Sequence, residues 1–261
     1  MTGKNIQIDL NADIGESYGV YKLGDDEKIV KIISSANIAT GFHAGDPNHM
    51  KRTVDLCEIN DVSIGAHPAY PDKLGFGRRD MNLETEEISN MLIYQIGALI
   101  GFTKGKKIQH VKPHGALYNA AAMNERIANA VVDTIMKFDP DLIHVVLAGS
   151  IWEDIARSKN ARVARECFAD RAVNIDGSLV SRSIPGAVID NLDEIIKRSK
   201  KMVIEGKVIA NDGTEIDFVA DSICVHGDNP KAILIANSLE ASFLDEGIRI
   251  LPLSKMENIK K

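Results

Sequence analysis

Four of the seven histidines in this sequence stand where a predicted β-strand ends, and they give the first indication of a chemical site. A single histidine at such a position is more often an ordinary hydrogen-bonded residue, but four at equivalent positions are hard to attribute to chance. An imidazole can transfer protons near neutral pH and can also bind a divalent metal. The strand ends are therefore predicted to form a site for one of these two chemistries. The four residues are His43, His67, His114 and His226.

Carboxylates, amides and cations accompany the histidines. In the opening stretch, residues 6–16, side chains alternate between the two faces of a strand, so that Asp9, Asn11 and Asp13 share one face. This polar row must face water, a metal or a polar substrate, because burying it unpaired is costly. Further candidates stand near the later strand ends: Glu16, Asp46, Lys112, Glu166, Asp170, Arg171 and Asp228.

Two kinds of chemistry are open for such a pocket. A divalent metal could activate water, with Asp13, His43 and His67 as ligands. Alternatively, a carboxylate or a histidine could deprotonate water without a metal, while Lys112 or Arg171 stabilises an oxyanion. No HExxH zinc signature is present, and no GxSxG, P-loop or GxGxxG motif indicates a nucleophilic serine or an ordinary ATP site.

The elements that must position these side chains alternate between strands and helices. Seven strand-then-helix units predict a parallel sheet with right-handed crossovers. An open doubly wound sheet is the alternative, but polar clusters at nearly every strand end favour a TIM-like β/α barrel, in which those ends converge on one mouth. Strands are predicted in the opening stretch and at 36–43, 62–67, 108–114, 142–148, 162–168 and 222–226.

Apolar residues at helical spacing predict helices between these strands. Their ranges are 25–35, 48–58, 88–103, 124–138, 151–157, 190–205 and a last helix that ends near residue 244. The Asp-Gly pair at 212–213 predicts a hairpin over 208–218 with a two-residue turn, and 249–253 is predicted to be extended. One domain that spans residues 1–261 is the economical interpretation.

Composition argues against several classes of protein. The 261 residues are 44% apolar and 26% charged, as is usual for a soluble globular protein, and the net charge of −6 argues against a nucleic-acid partner. No apolar run reaches the roughly 18 residues of a membrane helix, and no signal peptide is recognisable at the N-terminus, so we expect a cytoplasmic protein. Cys57, Cys167 and Cys224 indicate neither a disulfide framework nor a zinc cluster.

Seven stretches, in order along the chain, resemble the LamB/YcsF family. The resemblance implies a seven-stranded β/α barrel of the glycoside hydrolase and deacetylase type. It also implies a 5-oxoprolinase that opens 5-oxo-L-proline to L-glutamate with hydrolysis of ATP to ADP and phosphate, in which this chain is the A subunit, working with subunits B and C. The stretches are 9–16 (DLNADIGE), 36–47 (ANIATGFHAGDP), 65–72 (GAHPAYPD), 75–79 (GFGRR), 111–118 (VKPHGALY), 166–171 (ECFADR) and 225–228 (VHGD).

The positions at the strand ends, together with the resemblance, motivate hypotheses about individual roles. The catalytic residues are expected to be Asp9, Asp13, His43 and His67, with Asp9 or His67 as the base. Arg171 or Lys112 is expected to pair with the substrate carboxylate or with phosphate. Two rival functions are a metal-dependent amide hydrolase or deacetylase that needs no ATP, and a non-catalytic subunit that only binds the lactam. The residues expected to bind or enclose the substrate are Asn11, Glu16, Lys112, His114, Glu166, Asp170, Arg171, His226 and Asp228.

Overall fold

A closed barrel of seven parallel strands lies at the centre of the computed structural model, which describes residues 6–227 and 229–259. The first strand pairs in parallel with both the second and the last, which closes the sheet. The predicted TIM-like β/α barrel is therefore confirmed, and the open doubly wound sheet is excluded. The barrel strands are β1 (Gln7–Ile14), β2 (Ser35–Ala39), β3 (Ser63–His67), β4 (His110–Val111), β5 (Ile143–Leu147), β6 (Arg162–Phe168) and, after the hairpin strands β7 (Lys207–Ile209) and β8 (Glu215–Asp217), β9 (Ser222–His226).

Helices surround the barrel, and side-chain caps fix where several of them begin. Asp46 accepts hydrogen bonds from two backbone N–H groups in the first turn of the second helix, which Pro47 begins. Asn124, Ser150 and Asn191 cap three later helices in the same way. The helices are α1 (Asp26–Ile29), α2 (Pro47–Ile59), α3 (Thr85–Phe102), α4 (Gly115–Met123), α5 (Glu125–Phe138), α6 (Ile151–Ser158), α7 (Leu192–Ile204) and α8 (Ala232–Asp245).

The first helix is much shorter than the predicted range 25–35. It ends at Ile29 because Ser34 exchanges backbone and side-chain hydrogen bonds with Leu10 on β1. Ser35 already belongs to β2. A helix that continued through these residues could not make the bonds that dock the chain against β1, so this part of the prediction is wrong.

The fourth strand and the segment after it also differ from the prediction. β4 pairs over two residues instead of over 108–114, since Pro113 has no N–H group to donate to the ladder. The backbone N–H of Lys112 nevertheless bonds the carbonyl of Ala66, so the chain stays extended to the barrel mouth. The sequence interpretation missed α4, an Ala-rich helix without a side-chain cap that Asn124 separates from α5.

The β7–β8 hairpin lies outside the barrel and confirms the predicted antiparallel pairing. Its connection is longer than the predicted two-residue turn, because Ile209 pairs with Glu215 and residues 210–214 lie between them. The predicted extended segment 249–253 contains β10 (Arg249–Ile250), which pairs in parallel with the start of β1.

Apolar side chains close the amino-terminal end of the barrel. Two short 3-10 helices, Leu253–Lys255 and Glu257–Ile259, pack there against Ile143 and Val145 from β5. The larger apolar core lies between the outer face of the strands and the helices. No helix within residues 6–227 and 229–259 is long and apolar enough to cross a membrane. The one-domain organisation of residues 1–261 stays a prediction.

Candidate active site

Asp9 forms the deepest polar layer inside the barrel. Its fully buried carboxylate accepts hydrogen bonds from the hydroxyls of Ser34 (2.7 Å), Ser35 (2.5 Å) and Ser222 (2.5 Å). The parallel register brings these serines to it, since Asp9 lies opposite Ser222 on β9. Burial raises the pKa of Asp9 to about 6, although the three hydroxyls act in the opposite direction. Asp9 is therefore satisfied by neutral neighbours alone.

Two asparagines and a histidine form the next layer. The amide of Asn37 donates to Asn11 (2.6 Å), and that of Asn11 donates to Ser222 and to Glu166 (3.1 Å). His110 contacts the amide oxygen of Asn37 at 2.7 Å, and burial lowers its pKa to about 3, so that its ring is neutral. The ring fits only because residue 65 is glycine, where a Cβ would lie 2.0 Å from it. This layer links β1, β2, β4, β6 and β9 beneath the mouth.

Lys112 is the central cation of the mouth. Its buried ammonium lies 2.7 Å from Asp13, 2.8 Å from Glu166 and 3.0 Å from the Cys224 sulfur. Burial alone would lower the pKa of Lys112, but Asp13, Cys224 and Glu166 hold it well above its usual value. In turn, His67 and Lys112 hold the pKa of Asp13 well below its usual value against the effect of burial. Lys112 and Asp13 are therefore an ion pair inside the barrel.

Glu16, His43, His67 and His114 form a second buried group beside this ion pair. One nitrogen or oxygen from each lies within 4.8 Å of those of the other three. The rings of His43 and His114 stack at 3.8 Å, and His43 lies 3.1 Å from the Glu16 carboxylate. Burial, together with the neighbouring imidazoles, holds the pKa of both His43 and His114 well below the usual value. The group offers three imidazoles and one carboxylate to a cation.

The loop 72–79 packs onto this histidine group. The carbonyl of Phe76 lies 2.9 Å from His114, and Gly77 has a positive φ of 65°. A Cβ at residue 77 would lie 2.7 Å from His43 and 2.9 Å from His114, so only glycine allows the loop to approach so closely. The ion pair of Asp72 with Arg79 joins the two ends of the loop.

His226 and Asp170 form the opposite wall of the mouth. The Nδ1 atom of His226 lies 3.0 Å from the Asp170 carboxylate, and the ring stacks on Phe168. Burial raises the pKa of Asp170, but His226 and Asn229 outweigh this effect and lower it to about 2. Asp170 is thus ionised and orients the His226 ring.

A cluster of guanidinium groups completes this wall. Arg171 is buried and donates to the backbone carbonyls of Val180 (2.6 Å) and Ala187 (3.3 Å). Burial and the nearby positive charges of Arg182 and Arg78 lower the pKa of Arg171 to about 10. Three guanidinium groups that repel each other so close to a cavity favour the binding of an anion there.

These groups surround a cavity of about 490 Å³ at the carboxyl ends of the strands. This volume is within the roughly 300–1,000 Å³ typical of small-ligand sites. The predicted site residues that line it are Asp13, His67, Lys112, His114, Arg171 and His226. Asp46 caps α2 away from the cavity, the other described candidates are buried behind the lining, and Asp228 lies outside the described residues. Those buried candidates are Asp9, Asn11, Glu16, His43, Glu166 and Asp170.

The lining also contains residues that the sequence interpretation gave no role: Arg78, Tyr118, Phe168 and Arg182. The first three belong to stretches that carry the family resemblance, and that was the available signal for them. Arg182 lies in the segment 176–186, which has no regular pattern. Its position at the mouth depends on how that segment folds against β6, which one sequence does not reveal.

Comparison with known proteins shows similarity along almost the whole chain. The family model of the LamB/YcsF family matches residues 8–258. The 5-oxoprolinase A subunit of Pyrococcus furiosus is 53% identical over 250 residues, which cover 95% of this chain and 98% of that protein. The 5-oxoprolinase A subunit of Campylobacter jejuni subsp. jejuni is 51% identical over 249 residues, with 95% and 98% covered.

A solved structure has the same fold with clear sequence identity. The lactam utilization protein from Thermus thermophilus superimposes with a TM-score of 0.88 and is 42% identical. The match covers 94% of this chain and 99% of that protein.

Proposed function

This chain belongs to the LamB/YcsF family, and we propose that it is the A subunit of a 5-oxoprolinase, the hydrolase that opens 5-oxo-L-proline to L-glutamate. Relatives that are 51–53% identical over nearly the whole chain carry that name. One observation supports this role most: the buried Lys112–Asp13 ion pair and the guanidinium cluster around Arg171 lie at the same cavity. That arrangement suits a small anionic substrate whose carbonyl oxygen receives a negatively charged phosphoryl group during the reaction.

The reaction is coupled to ATP in this proposal. A lactam is a resonance-stabilised amide, and its hydrolysis lies close to equilibrium, so that coupling can both activate the ring and drive its opening. Transfer of the γ-phosphoryl group to the lactam oxygen releases ADP and makes the ring carbon more electrophilic. Water adds to that carbon, the ring nitrogen leaves as an amine after protonation, and a second water hydrolyses the resulting acyl phosphate to glutamate and phosphate. Subunits B and C are the proposed partners in the phosphoryl transfer.

Each wall of the cavity has a proposed role in the ring opening. Arg171 and its neighbouring guanidinium groups bind the substrate carboxylate or the phosphate. Lys112 places a positive charge near the phosphoryl group that the lactam oxygen receives, while Asp13 and Glu166 keep the lysine charged and in place. His226 transfers the proton, because Asp170 binds its Nδ1 atom and leaves Nε2 for a ligand in the cavity that the ring lines.

We assign proton transfer to His226 in place of the base expected from the sequence, Asp9 or His67. Asp9 does not line the cavity, and three serine hydroxyls enclose its carboxylate. We therefore give Asp9 the role of supporting β1, which carries Asp13. His67 lines the cavity, but both of its ring nitrogens already contact neighbouring groups, namely the Lys112 carbonyl and His114. His226 is the better placed proton-transfer group.

Reconstitution with subunits B and C tests the proposed function. The complete mixture is expected to release glutamate and ADP from 5-oxo-L-proline and ATP, and omission of this chain is expected to abolish glutamate release. The His226→Gln chain serves as a variant of the site and the His49→Gln chain as its matched control. Glutamate release by this chain alone without ATP would support a simple amide hydrolase. Full turnover with His226→Gln would support the non-catalytic, lactam-binding role.

A further inference from the structure

Two ring nitrogens in the histidine group face each other at a hydrogen-bond distance. His67 Nε2 and His114 Nδ1 lie 2.9 Å apart. The other nitrogen of each ring contacts a backbone carbonyl, Lys112 O at 2.6 Å from His67 Nδ1 and Phe76 O at 2.9 Å from His114 Nε2. A carbonyl only accepts hydrogen bonds, so those outer nitrogens carry the protons. With both rings neutral the two facing nitrogens present lone pairs to each other, so the contact calls for a cation, either a proton on His67 Nε2, which also lies 3.4 Å from the Asp13 carboxylate, or a metal ion.

The remaining members of the group supply the other ligands that a metal ion needs. The Glu16 carboxylate lies 3.1 Å from His43 Nε2 and 3.7 Å from His114 Nδ1. Four ligands placed tetrahedrally at the zinc distances of about 2.0–2.1 Å are about 3.4 Å from one another. The observed separations of 2.9, 3.1 and 3.7 Å lie on both sides of this value. Three of the six separations in the group are thus near the spacing of a tetrahedral site, and the other three are within 4.8 Å.

We propose that Glu16, His43, His67 and His114 bind one divalent transition-metal ion, with zinc as the best fit to three imidazoles and one carboxylate. The site replaces the ligand set Asp13, His43 and His67 expected from the sequence, since Asp13 is engaged by Lys112. The two backbone carbonyls orient His67 and His114 as outer partners usually orient metal-bound imidazoles. The loop 72–79, with Gly77 against both His43 and His114, holds the group together.

The location gives this ion a place in the cavity wall. His67 and His114 line the cavity, whereas Glu16 and His43 are buried behind it. One side of the ion would thus face a bound substrate, a position from which a metal can polarise a carbonyl or phosphoryl oxygen. Metal binding does not depend on the proposed function, because it is measured on this chain alone.

Titration of the chelator-treated full-length chain with metal tests the site directly. Co²⁺ is expected to give the visible absorption of a four-coordinate ion and to saturate at one ion per chain, and Zn²⁺ is expected to displace it. Isothermal titration with Zn²⁺ should show binding at least roughly 100-fold weaker for Glu16→Gln and for His43→Gln, because loss of even an outer partner of a metal ligand costs about 10- to 100-fold. His49→Gln is the matched control. His49 lies on α2 and pairs with Asp46, outside the histidine group, so this variant is expected to bind Zn²⁺ like the wild type.

Two results would overturn the proposal. One is a wild-type chain that gives no saturable Co²⁺ spectrum and whose melting temperature Zn²⁺ does not raise, a result that needs no variant to fold. The other is equal Zn²⁺ affinity for Glu16→Gln, His43→Gln and His49→Gln. Failure of glutamate release in the reconstituted complex would leave these binding measurements unaffected, so that the two proposals fail separately.

Discussion

The interior of the barrel contains two polar regions that differ in how their charges are balanced. In the deep layers, Asp9 is enclosed by hydroxyls and Asn11 and Asn37 bond each other, so that neutral neighbours satisfy the carboxylate. At the mouth, the charges of Lys112 and Arg171 stand beside a cavity. The deep region uses its polar atoms internally, whereas the mouth directs its charges toward a ligand.

Asp9 and Asp13 show this difference on a single strand. Both are buried on the same face of β1, four residues apart. Burial raises the pKa of Asp9 to about 6, and the hydroxyls of Ser222, Ser35 and Ser34 only partly oppose it. The pKa of Asp13 is held well below its usual value by His67 and Lys112, although burial acts against them. Burial of a carboxylate is thus not by itself a sign of function, and the partner decides the charge state.

The largest effect is expected at the cation of the mouth. Lys112→Met leaves Asp13 and Glu166 buried without their counter-ion, which should destabilise the fold by about 3–5 kcal/mol. Loss of the positive charge near the phosphoryl group on the lactam oxygen should also lower kcat by about 10²–10³. Urea unfolding of the chain and glutamate release by the reconstituted complex measure the two effects.

The matched control for this variant is Lys207→Met. The ammonium of Lys207 is exposed and pairs with Glu215 on the hairpin, so its loss should leave the unfolding free energy close to that of the wild type. If Lys112→Met kept the kcat and the stability of the wild type, the mouth of the barrel would not differ from the deep layers in the way we propose.

The second prediction compares His226, which transfers the proton, with Asp170, which positions the His226 ring. His226→Gln should lower kcat by about 10²–10⁴ with little change in KM, because it removes proton transfer. Asp170→Asn keeps the size of the side chain but weakens its hydrogen bond with His226 Nδ1. A hydrogen bond to a charged group contributes about 1.5–3 kcal/mol, so kcat should fall roughly 10- to 100-fold. Steady-state kinetics of both variants check this order. An Asp170→Asn loss larger than that of His226→Gln would contradict the assignment.

The barrel itself could be predicted from the sequence because its signals are local. β6 (Arg162–Phe168) and β9 (Ser222–His226) have the predicted bounds, and strand alternation placed Asp9, Asn11 and Asp13 on one inward face. The errors arose where a distant contact overrides local preference. Ser34 leaves the first helix to bond β1, and Pro113 ends the pairing of β4.

The site could be predicted only as a set of residues without their pairings. The positions of His67 and His114 at strand ends are visible in the sequence. That Glu16 rather than Asp13 completes their group depends on the loop after β1 and on the lysine that reaches across from β4. Of the three serines around Asp9, Ser34 precedes β2, Ser35 begins β2 and Ser222 begins β9. Only the register of the closed barrel brings them together.

The smallest effect on turnover is expected from Asp9→Asn, which tests the deep region alone. The pKa of Asp9 is about 6 in the folded chain and 3.8 is its ordinary value, so between these values the folded state binds more protons than the unfolded chain. The unfolding free energy of the wild type should therefore fall as the pH rises from about 4 to about 6. At about 1.4 kcal/mol per pKa unit, this contribution is about 3 kcal/mol.

Asp9→Asn lacks this titrating carboxyl group, so the unfolding free energy of the variant, measured with urea, should depend less on pH while kcat stays near the wild-type value. A loss of kcat as large as that of His226→Gln, with unchanged pH dependence of stability, would instead place Asp9 with the reactive groups of the mouth.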